Sequence, residues 1–384
     1  MTEERFDHLR WPFFGDTDRT AAAGIEGWAR RELPRIASDN QGDVESMVRS
    51  IAASLGAGGL LPAAQAELPS CRHLCLVREV LAYHNPLADF AFAMQGLGSA
   101  PLMLAGDKRV RERFLPSAGR GEAVTAFAIS EADAGSDVAA ITTTARRDGD
   151  DWILNGEKTW ISNGGLAGWY VVLARTGEAP GSRGLTLFVV EAAAEGFDCV
   201  ERIETMSPHP LGRLRFENCL IPDVQRIGEP GQGFKISMRV LDLFRPSVAA
   251  AALGFARRAF DEVLAHVKAR TLFGTTLGEL QMTQAAIAAM ATDIDAAALL
   301  TYRAAWSNDT SGERNSLPSA MAKWNATESA QRVIDRALQL FGARGLVTGH
   351  IVERLYRDVR ALRIYEGSSE IQQLVIARSV LGRA

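Results

Sequence analysis

The residues able to do chemistry fall in two stretches. Ser130 to Ser136 reads SEADAGS and supplies hydroxyls and bare backbone, and Trp160 follows in NGEKTWISN. Hydroxyls, accessible amides and one large ring could hold a flavin or nicotinamide, whereas a Trp in a β-run more often packs a core. Far along the chain, Glu366 stands in a Tyr-Glu-Gly turn ahead of a helix starting at Ser368. A carboxylate there is either a reactive acid–base group or a surface acid complementing the helix dipole. Gly367 permits close backbone approach, and Ser368 can cap the helix or meet a phosphate at its positive end. Ile371, Leu374 and Val375 are expected to form that helix's buried stripe. The chain has no GxGxxG between strand and helix, no Walker loop, no GxSxG elbow, no HExxH and no zinc spacing. Cys71 and Cys75 share a helix face, but without two further ligands they read as small core residues, so no metal is expected.

The scaffold holding these residues has 384 amino acids, 47% apolar and 23% charged, which is room for two or three domains with a large core. Forty-two Lys plus Arg against 46 Asp plus Glu give a net charge of -4. With no basic excess, nucleic acid and anionic membranes are not the expected partners. Four cysteines are too few for a disulfide framework and point to a reducing compartment. The opening MTEERFDHLRWPFF lacks an apolar signal core, and no stretch approaches 18 uninterrupted apolar residues. A cytoplasmic protein that does not span a membrane is expected.

Three changes of period set the layout. From about Thr20 to Leu115, apolar residues recur at helical spacing, as in Leu76, Val80 and Tyr83, then Phe90, Met94 and Leu97. Near Glu122 short β-branched and aromatic runs take over, broken by Asp148-Gly149 and by Asn155-Gly156, the latter a strong two-residue hairpin signal. After GEPGQGF the helical period returns over about Lys235–Ala269, Leu280–Ser307 and Pro318–Gly342, and again from about Ser368. The expected fold is a multidomain α+β chain. It has an N-terminal α-helical domain (1–121), a middle β-barrel or sandwich domain (122–228) and a C-terminal four-helix bundle (229–384).

Two segments, FAISEADAGSDVAAITTTARRDGDDWILNGEKTWISN (127–163) and RDVRALRIYEGSSEIQQLVIAR (357–378), carry a family resemblance. They resemble the acyl-CoA dehydrogenases, whose pattern runs roughly T-E-P-x-A-G-S-D, N-G-x-K-x-W-I-T-N and I-Y-E-G-T-S-x-I-Q. RPSVAAAALGFARRAFDEVLAHVKARTLFG and LQLFGARG match intervening blocks in order, so the resemblance covers almost the whole chain. It implies FAD as cofactor, in keeping with the chemistry: oxidising an unactivated carbon pair needs a base and a hydride acceptor, and no side chain accepts hydride.

The resemblance further implies that Phe127, Ile129, Ser130 and Ser136 lie along the flavin and that Trp160, Ile161 and Ser162 cover it. Ser136 would also touch the CoA portion, and Ser368 and Glu370 would flank the cofactor. Family tetramers complete each flavin site with a neighbour's residues, here matching Arg270, Phe273, Gln281, Gln339 and Gly342. Arg270 is a sensible pyrophosphate partner on charge, but on sequence alone it reads rather as an ordinary solvated helix-end arginine. Glu366 is implied as the base, with Gly367, Asp242 and Arg245 at the substrate, although Asp242 and Arg245 also read as a surface i,i+3 pair. The thioester carbonyl would meet the Glu366 backbone N–H and the ribityl 2'-hydroxyl of FAD. Glu366 would remove the α-proton while the β-hydrogen leaves as hydride for flavin N5, giving a trans-2-enoyl-CoA.

Some branches place the base on the long helix opening the C-terminal domain, but Phe244 occupies that position and cannot accept a proton. The acyl-CoA would be short, branched or cyclic, with an electron-transferring flavoprotein as acceptor and a homo-oligomer, a dimer of dimers, as the assembly. Departures from the pattern are Ala132, Ala343-Arg344 and Ser207-Pro208-His209-Pro210, where His209 reads as a surface or loop residue, with a substrate-pocket contact as the sharper option. The alternatives are an acyl-carrier-protein-linked dehydrogenase, a flavin oxidase or monooxygenase on the same fold, and a flavin-carrying binding protein without this activity.

Overall fold

Alternation of side chains explains the middle of the chain and helical stripes explain the rest. The computed structural model describes residues 7–40, 42–65, 67–311 and 315–382. Five helices come first: α1 (Asp16–Asn40), α2 (Val44–Ala57), α3 (Cys71–His84), α4 (Pro86–Ala105) and α5 (Lys108–Gly119). Strands β1 (Thr125–Ala128), β2 (Thr144–Asp148), β3 (Asp151–Ser162), β4 (Trp169–Arg175), β5 (Leu185–Glu191), β6 (Phe197–Arg202), β7 (Leu211–Pro222) and β8 (Arg226–Ile227) follow. The chain ends with α6 (Gly233–Ala269), a hairpin of β9 (Thr271–Leu272) and β10 (Thr275–Thr276), α7 (Gln281–Thr310), α8 (Ser316–Phe341), α9 (Ile351–Leu362) and α10 (Ser369–Val380). The described residues sort into two compact units, one within 34–69 and 90–241, the other within 7–33, 70–89 and 242–382.

The first unit is built on one eight-stranded sheet, ordered β6-β7-β3-β2-β4-β5-β8, with β1 pairing in parallel with β4. Strand β4 is buried on both faces and so reads as a continuous apolar run. Tyr170, Val172 and Ala174 join Trp152, Phe188 and Phe216 on one side, while Trp169, Val171 and Leu173 pack with Leu102, Val110 and Phe114 on the other. Asp148-Gly149 makes the expected turn and closes a hairpin, Asp148 pairing with Asp151 and Gly149 at φ +61°. Asn155-Gly156 does not. It lies inside β3, where the pairing with β7 shifts register and Gly156 has φ +138°, with the Thr143 Cα 2.8 Å from where a Cβ would stand. The pair that signals a turn here makes a bulge instead.

The second unit packs α3, the later part of α6 and α7–α9 around an alanine-rich core that includes Ala249–Ala252, Ala297, Ala298, Ala326 and Ala330. Cys71 and Cys75 are both fully buried in it. Helix α9 is one more helix than the sequence reading separates; Val352, Leu355, Val359 and Leu362 give it a buried stripe. The stripe expected on α10 is absent: Ser369 and Gln372 are its buried residues, Ile371 and Val375 are half-buried and Leu374 is 49% exposed. The face of α10 that meets its own chain is the polar one.

Candidate active site

In the sheet unit the Ser130 carbonyl accepts the Thr159 amide at 3.0 Å, which lays Ile129–Glu131 beside the end of β3. A buried ion pair fixes this junction. Lys158 Nζ donates to the Ile129 carbonyl at 2.9 Å and to Glu131 Oε1 at 2.8 Å. The Glu131 carboxylate also accepts the Thr142 amide, the Thr142 hydroxyl and the Thr143 amide at 2.7, 2.8 and 2.9 Å. Burial works against the Glu131 charge, but Lys158 and these donors outweigh it and hold its pKa down at about 2. Burial lowers Lys158 to about 8 despite the facing carboxylate.

Trp160 follows this clamp with φ +60°, a conformation that costs a non-glycine residue roughly 1–2 kcal/mol, and its ring is 58% exposed. A large apolar ring held in a strained backbone and left open to solvent is built for something other than the chain's own core. Asn163 is left-handed as well, its buried amide donating to the Thr125 carbonyl at 2.9 Å and so tying the end of β3 to β1. Phe127 and Ser162 are half-buried, Ile129 and Ile161 buried, and Ser136 exposed.

In the helical unit Glu366 has φ +53°, and Gly367 follows at φ +85°. That φ favours glycine, and a Cβ on Gly367 would also push on Gln372 Nε2, 2.6 Å from where it would stand. Both carboxylate oxygens of Glu366 are closed off from solvent, with no hydrogen-bond partner among the described residues. Burial pushes its pKa up, while the Arg78, Lys323 and Arg245 charges pull it down. Arg78 is itself buried and pairs with Asp89 at 2.7 and 2.9 Å and with the Ser247 hydroxyl at 3.0 Å. Asp242 and Arg245 are not a surface pair: both are buried, bonded at 2.7 Å, and Asp242 also accepts Ser316 Oγ at 3.0 Å. Phe244 is fully buried. Ser368 sits at the N-cap position of α10 but its hydroxyl makes no capping bond. It bonds the exposed Glu370, whose pKa it lowers.

Arg270, Phe273, Gln281, Gln339 and Gly342 gather at one end of this unit and are all exposed. Arg270 ends α6, Gln281 opens α7, and the His266 ring stacks on Phe341 at 4.3 Å, bringing the ends of α6 and α8 together. Phe273 occupies the tip of the β9–β10 hairpin at φ +52° and is 91% exposed. Helix α8 separates this group from Glu366. Lys323, which bonds the Glu366 turn, and Phe341, beside the exposed group, are about 27 Å apart at the helical rise per residue. The expected site residues of this unit thus divide into two places, one around Glu366 and one at the far end of α8.

Two domain descriptions match the chain: acyl-CoA dehydrogenase, middle domain, over residues 126–219, and acyl-CoA dehydrogenase, C-terminal domain, over residues 231–381. A probable acyl-CoA dehydrogenase of Mycobacterium tuberculosis is 39% identical over 309 residues, which is 80% of this chain and 79% of that protein. The chain belongs to the acyl-CoA dehydrogenase family. A cyclohexane-1-carbonyl-CoA dehydrogenase of Geobacter metallireducens is 37% identical over 360 residues, 92% of this chain and 94% of that one. The solved structure of butyryl-CoA dehydrogenase from Megasphaera elsdenii superposes with a TM-score of 0.88 at 28% identity, covering 96% of this chain and 99% of that one. Acyl-CoA dehydrogenases are oxidoreductases and generally FAD-dependent.

Within this acyl-CoA dehydrogenase, sequence reasoning singles out Glu366 and Trp160 but gives no role to Arg78, Glu131, Lys158, Lys323 or Gln372. One signal was available. Ala320, Lys323, Thr327 and Ala330 recur at helical spacing, which puts a lysine on the buried stripe of α8. His209 is a half-buried loop residue, within the expected surface or loop reading. Its ring lies 4.8 Å from that of Phe90, and burial lowers its pKa. Ala132 and Arg344, at positions that depart from the family pattern, are both exposed.

Proposed function

We propose that this protein is an FAD-dependent dehydrogenase that oxidises the α,β bond of an acyl-CoA thioester to a trans-2-enoyl-CoA, with Glu366 as the base. The observation carrying the reading is the Glu366 carboxylate: enclosed, without a donor, raised in pKa and presented from a left-handed turn. A structural carboxylate would be hydrogen-bonded, as Glu131 is. One without donors accepts a substrate proton with no bond to break first.

The sheet unit offers support of its own for a flavin, since Trp160 presents an exposed side chain in strained backbone next to Thr159, whose amide bonds the Ser130 carbonyl. Trp160 with Phe127, Ile129, Ser130, Ser136, Ile161 and Ser162 would hold it, and Ser368 and Glu370 would flank it. FAD, when bound, supplies the acceptor for the β-hydride. Glu366 takes the α-proton, and its backbone N–H polarises the thioester carbonyl, which acidifies the α-carbon. Gly367 lets the thioester approach the turn, Ser136 meets the CoA portion, and Asp242 and Arg245 border the substrate from α6.

Phe244 fills a position on α6 with a ring, which favours a short, branched or cyclic acyl group, and the relative named for cyclohexane-1-carbonyl-CoA favours the cyclic choice. We propose a homo-oligomer, a dimer of dimers, in which Arg270, Phe273, Gln281, Gln339 and Gly342 complete a neighbour's flavin site. The exposure of all five and of the apolar face of α10 supports it. A cytoplasmic location and an electron-transferring flavoprotein as acceptor complete the reading.

The test is anaerobic bleaching of the purified holoenzyme by short, long, branched and cyclic acyl-CoAs. Rapid bleaching with one class, slowed by about 100-fold or more in Glu366→Gln, is the expected result. Bleaching of that variant at the parent rate with every thioester would sink the assignment of the base. Turnover with oxygen as the only acceptor would favour an oxidase, and activity confined to carrier-protein thioesters a biosynthetic enzyme.

A further inference from the structure

A left-handed glutamate has to be held, and the structure shows what holds it. Lys323, buried in the middle of the α8 stripe, donates through Nζ to the carbonyls of Tyr365 and Gly367, the residues on either side of Glu366. From α10 the buried Gln372 amide donates to the Gly367 carbonyl at 2.9 Å and more weakly to the Glu366 carbonyl at 3.4 Å. Two helices thus grip the backbone of one three-residue turn. None of these bonds goes to the carboxylate.

We propose that Lys323 is a positioning residue for Glu366: its ammonium pins the flanking carbonyls, fixes the strained turn and leaves the carboxylate without a protein donor. The inference rests on Glu366 being the base. The charges around Glu366 make the geometry selective. Arg78 faces it from α3 but is committed to Asp89, Arg245 faces it from α6 but is committed to Asp242, and Tyr365 adjoins it within the turn. The carbonyls bound to Lys323 are neutral, so its charge is not cancelled by a contacting carboxylate. Burial lowers Lys323 to about 7 while the facing Glu366 pulls it back up, so each group titrates in the field of the other. Loss of the lysine therefore has two separable effects: the turn relaxes, and the base loses a neighbouring positive charge.

The experiment compares Lys323→Met, Gln372→Leu and Glu366→Gln as FAD-loaded enzymes, following anaerobic flavin reduction by the best acyl-CoA across pH, together with melting temperature. In Lys323→Met, kcat is expected to fall about 100-fold, because a misplacement of about 1 Å costs that much, with KM changed less than about threefold. The acid limb of the rate profile is expected to move up by about one pH unit, because removing a cation disfavours the carboxylate. Gln372→Leu removes backbone bonds but no charge, so kcat falls and the acid limb stays. A folded, flavin-loaded Lys323→Met with parental kcat and an unmoved acid limb overturns the proposal. If Lys323→Met does not fold, Gln372→Leu decides, and a parental kcat there overturns it equally. Activity retained by Glu366→Gln would instead bring down the assignment of the base itself, a distinct failure.

Discussion

Replacing Glu131 by Gln tests whether the ion pair under Ile129–Glu131 organises the sheet side of the site. The drop in the Glu131 pKa from 4.5 to about 2 is worth about 3 kcal/mol of native-state preference for the carboxylate. The drop in Lys158 from 10.5 to about 8 acts in the opposite sense, as expected of a buried pair, which adds little net stability as a unit. Removing one partner is not neutral. Glutamine keeps some bonds to Thr142 and Thr143, but it leaves Lys158 facing the Ile129 carbonyl without a counter-charge, at a cost of about 3–5 kcal/mol. Urea unfolding of Glu131→Gln at pH 7 should show that loss, accompanied by weaker FAD binding.

The pH dependence gives the signature. A folded pKa below the unfolded one means that Glu131 adds stability above pH 4.5, and that this contribution disappears as pH falls from 4.5 towards 2. The deficit of the variant should therefore shrink over that range. For Lys158, also lowered, burial subtracts stability below about pH 8 and progressively less as pH rises towards 10.5. A variant within about 0.5 kcal/mol of the parent at pH 7, or one whose deficit is as large at pH 2.5, would refute the reasoning, since mutations touching no such network usually fall inside that margin.

Glu366→Gln should slow flavin bleaching by about 100-fold or more, the usual contribution of a general base. Because burial raises the folded pKa of Glu366, its ionisation subtracts stability increasingly as pH climbs above 4.5, so the variant should melt above the parent at pH 8 and level with it at pH 4. Melting below the parent at both would contradict a donor-free carboxylate. Trp160→Gly relieves a left-handed residue and should stabilise the FAD-free protein by about 1 kcal/mol while weakening FAD binding, as measured by calorimetry. Unchanged affinity would remove Trp160 from the cofactor's surroundings. In the acyl-CoA screen, a straight long chain bleaching faster than every branched or cyclic one would rule out Phe244 as a limit on the cavity.

What the sequence makes legible is set by how local the cause is. The change from helical to alternating period near Glu122 is local, and β4 and its neighbours follow from it. The turn at Glu366 is legible because Tyr-Glu-Gly and the helix after it are contiguous. The clamp on that turn is not: Lys323 reaches it from another helix, and a lysine on an alanine stripe names no partner until α8 and α10 are packed. Asn155-Gly156 misleads for a chemical reason, since hairpin turns and bulges both call for positive φ and the same residues serve both. The stripe on α10 misleads because periodicity identifies an apolar face but not whether the same chain covers it.

The separation along α8 has a genetic consequence. Glu366 lies at one station of that helix and the Arg270 group at the other, and in the proposed assembly each active centre would draw the first from one polypeptide and the second from another. Two alleles, one damaged at each station and each inactive alone, could then complement when expressed together, because some mixed assemblies would unite the two sound halves. Two lesions at the same station could not.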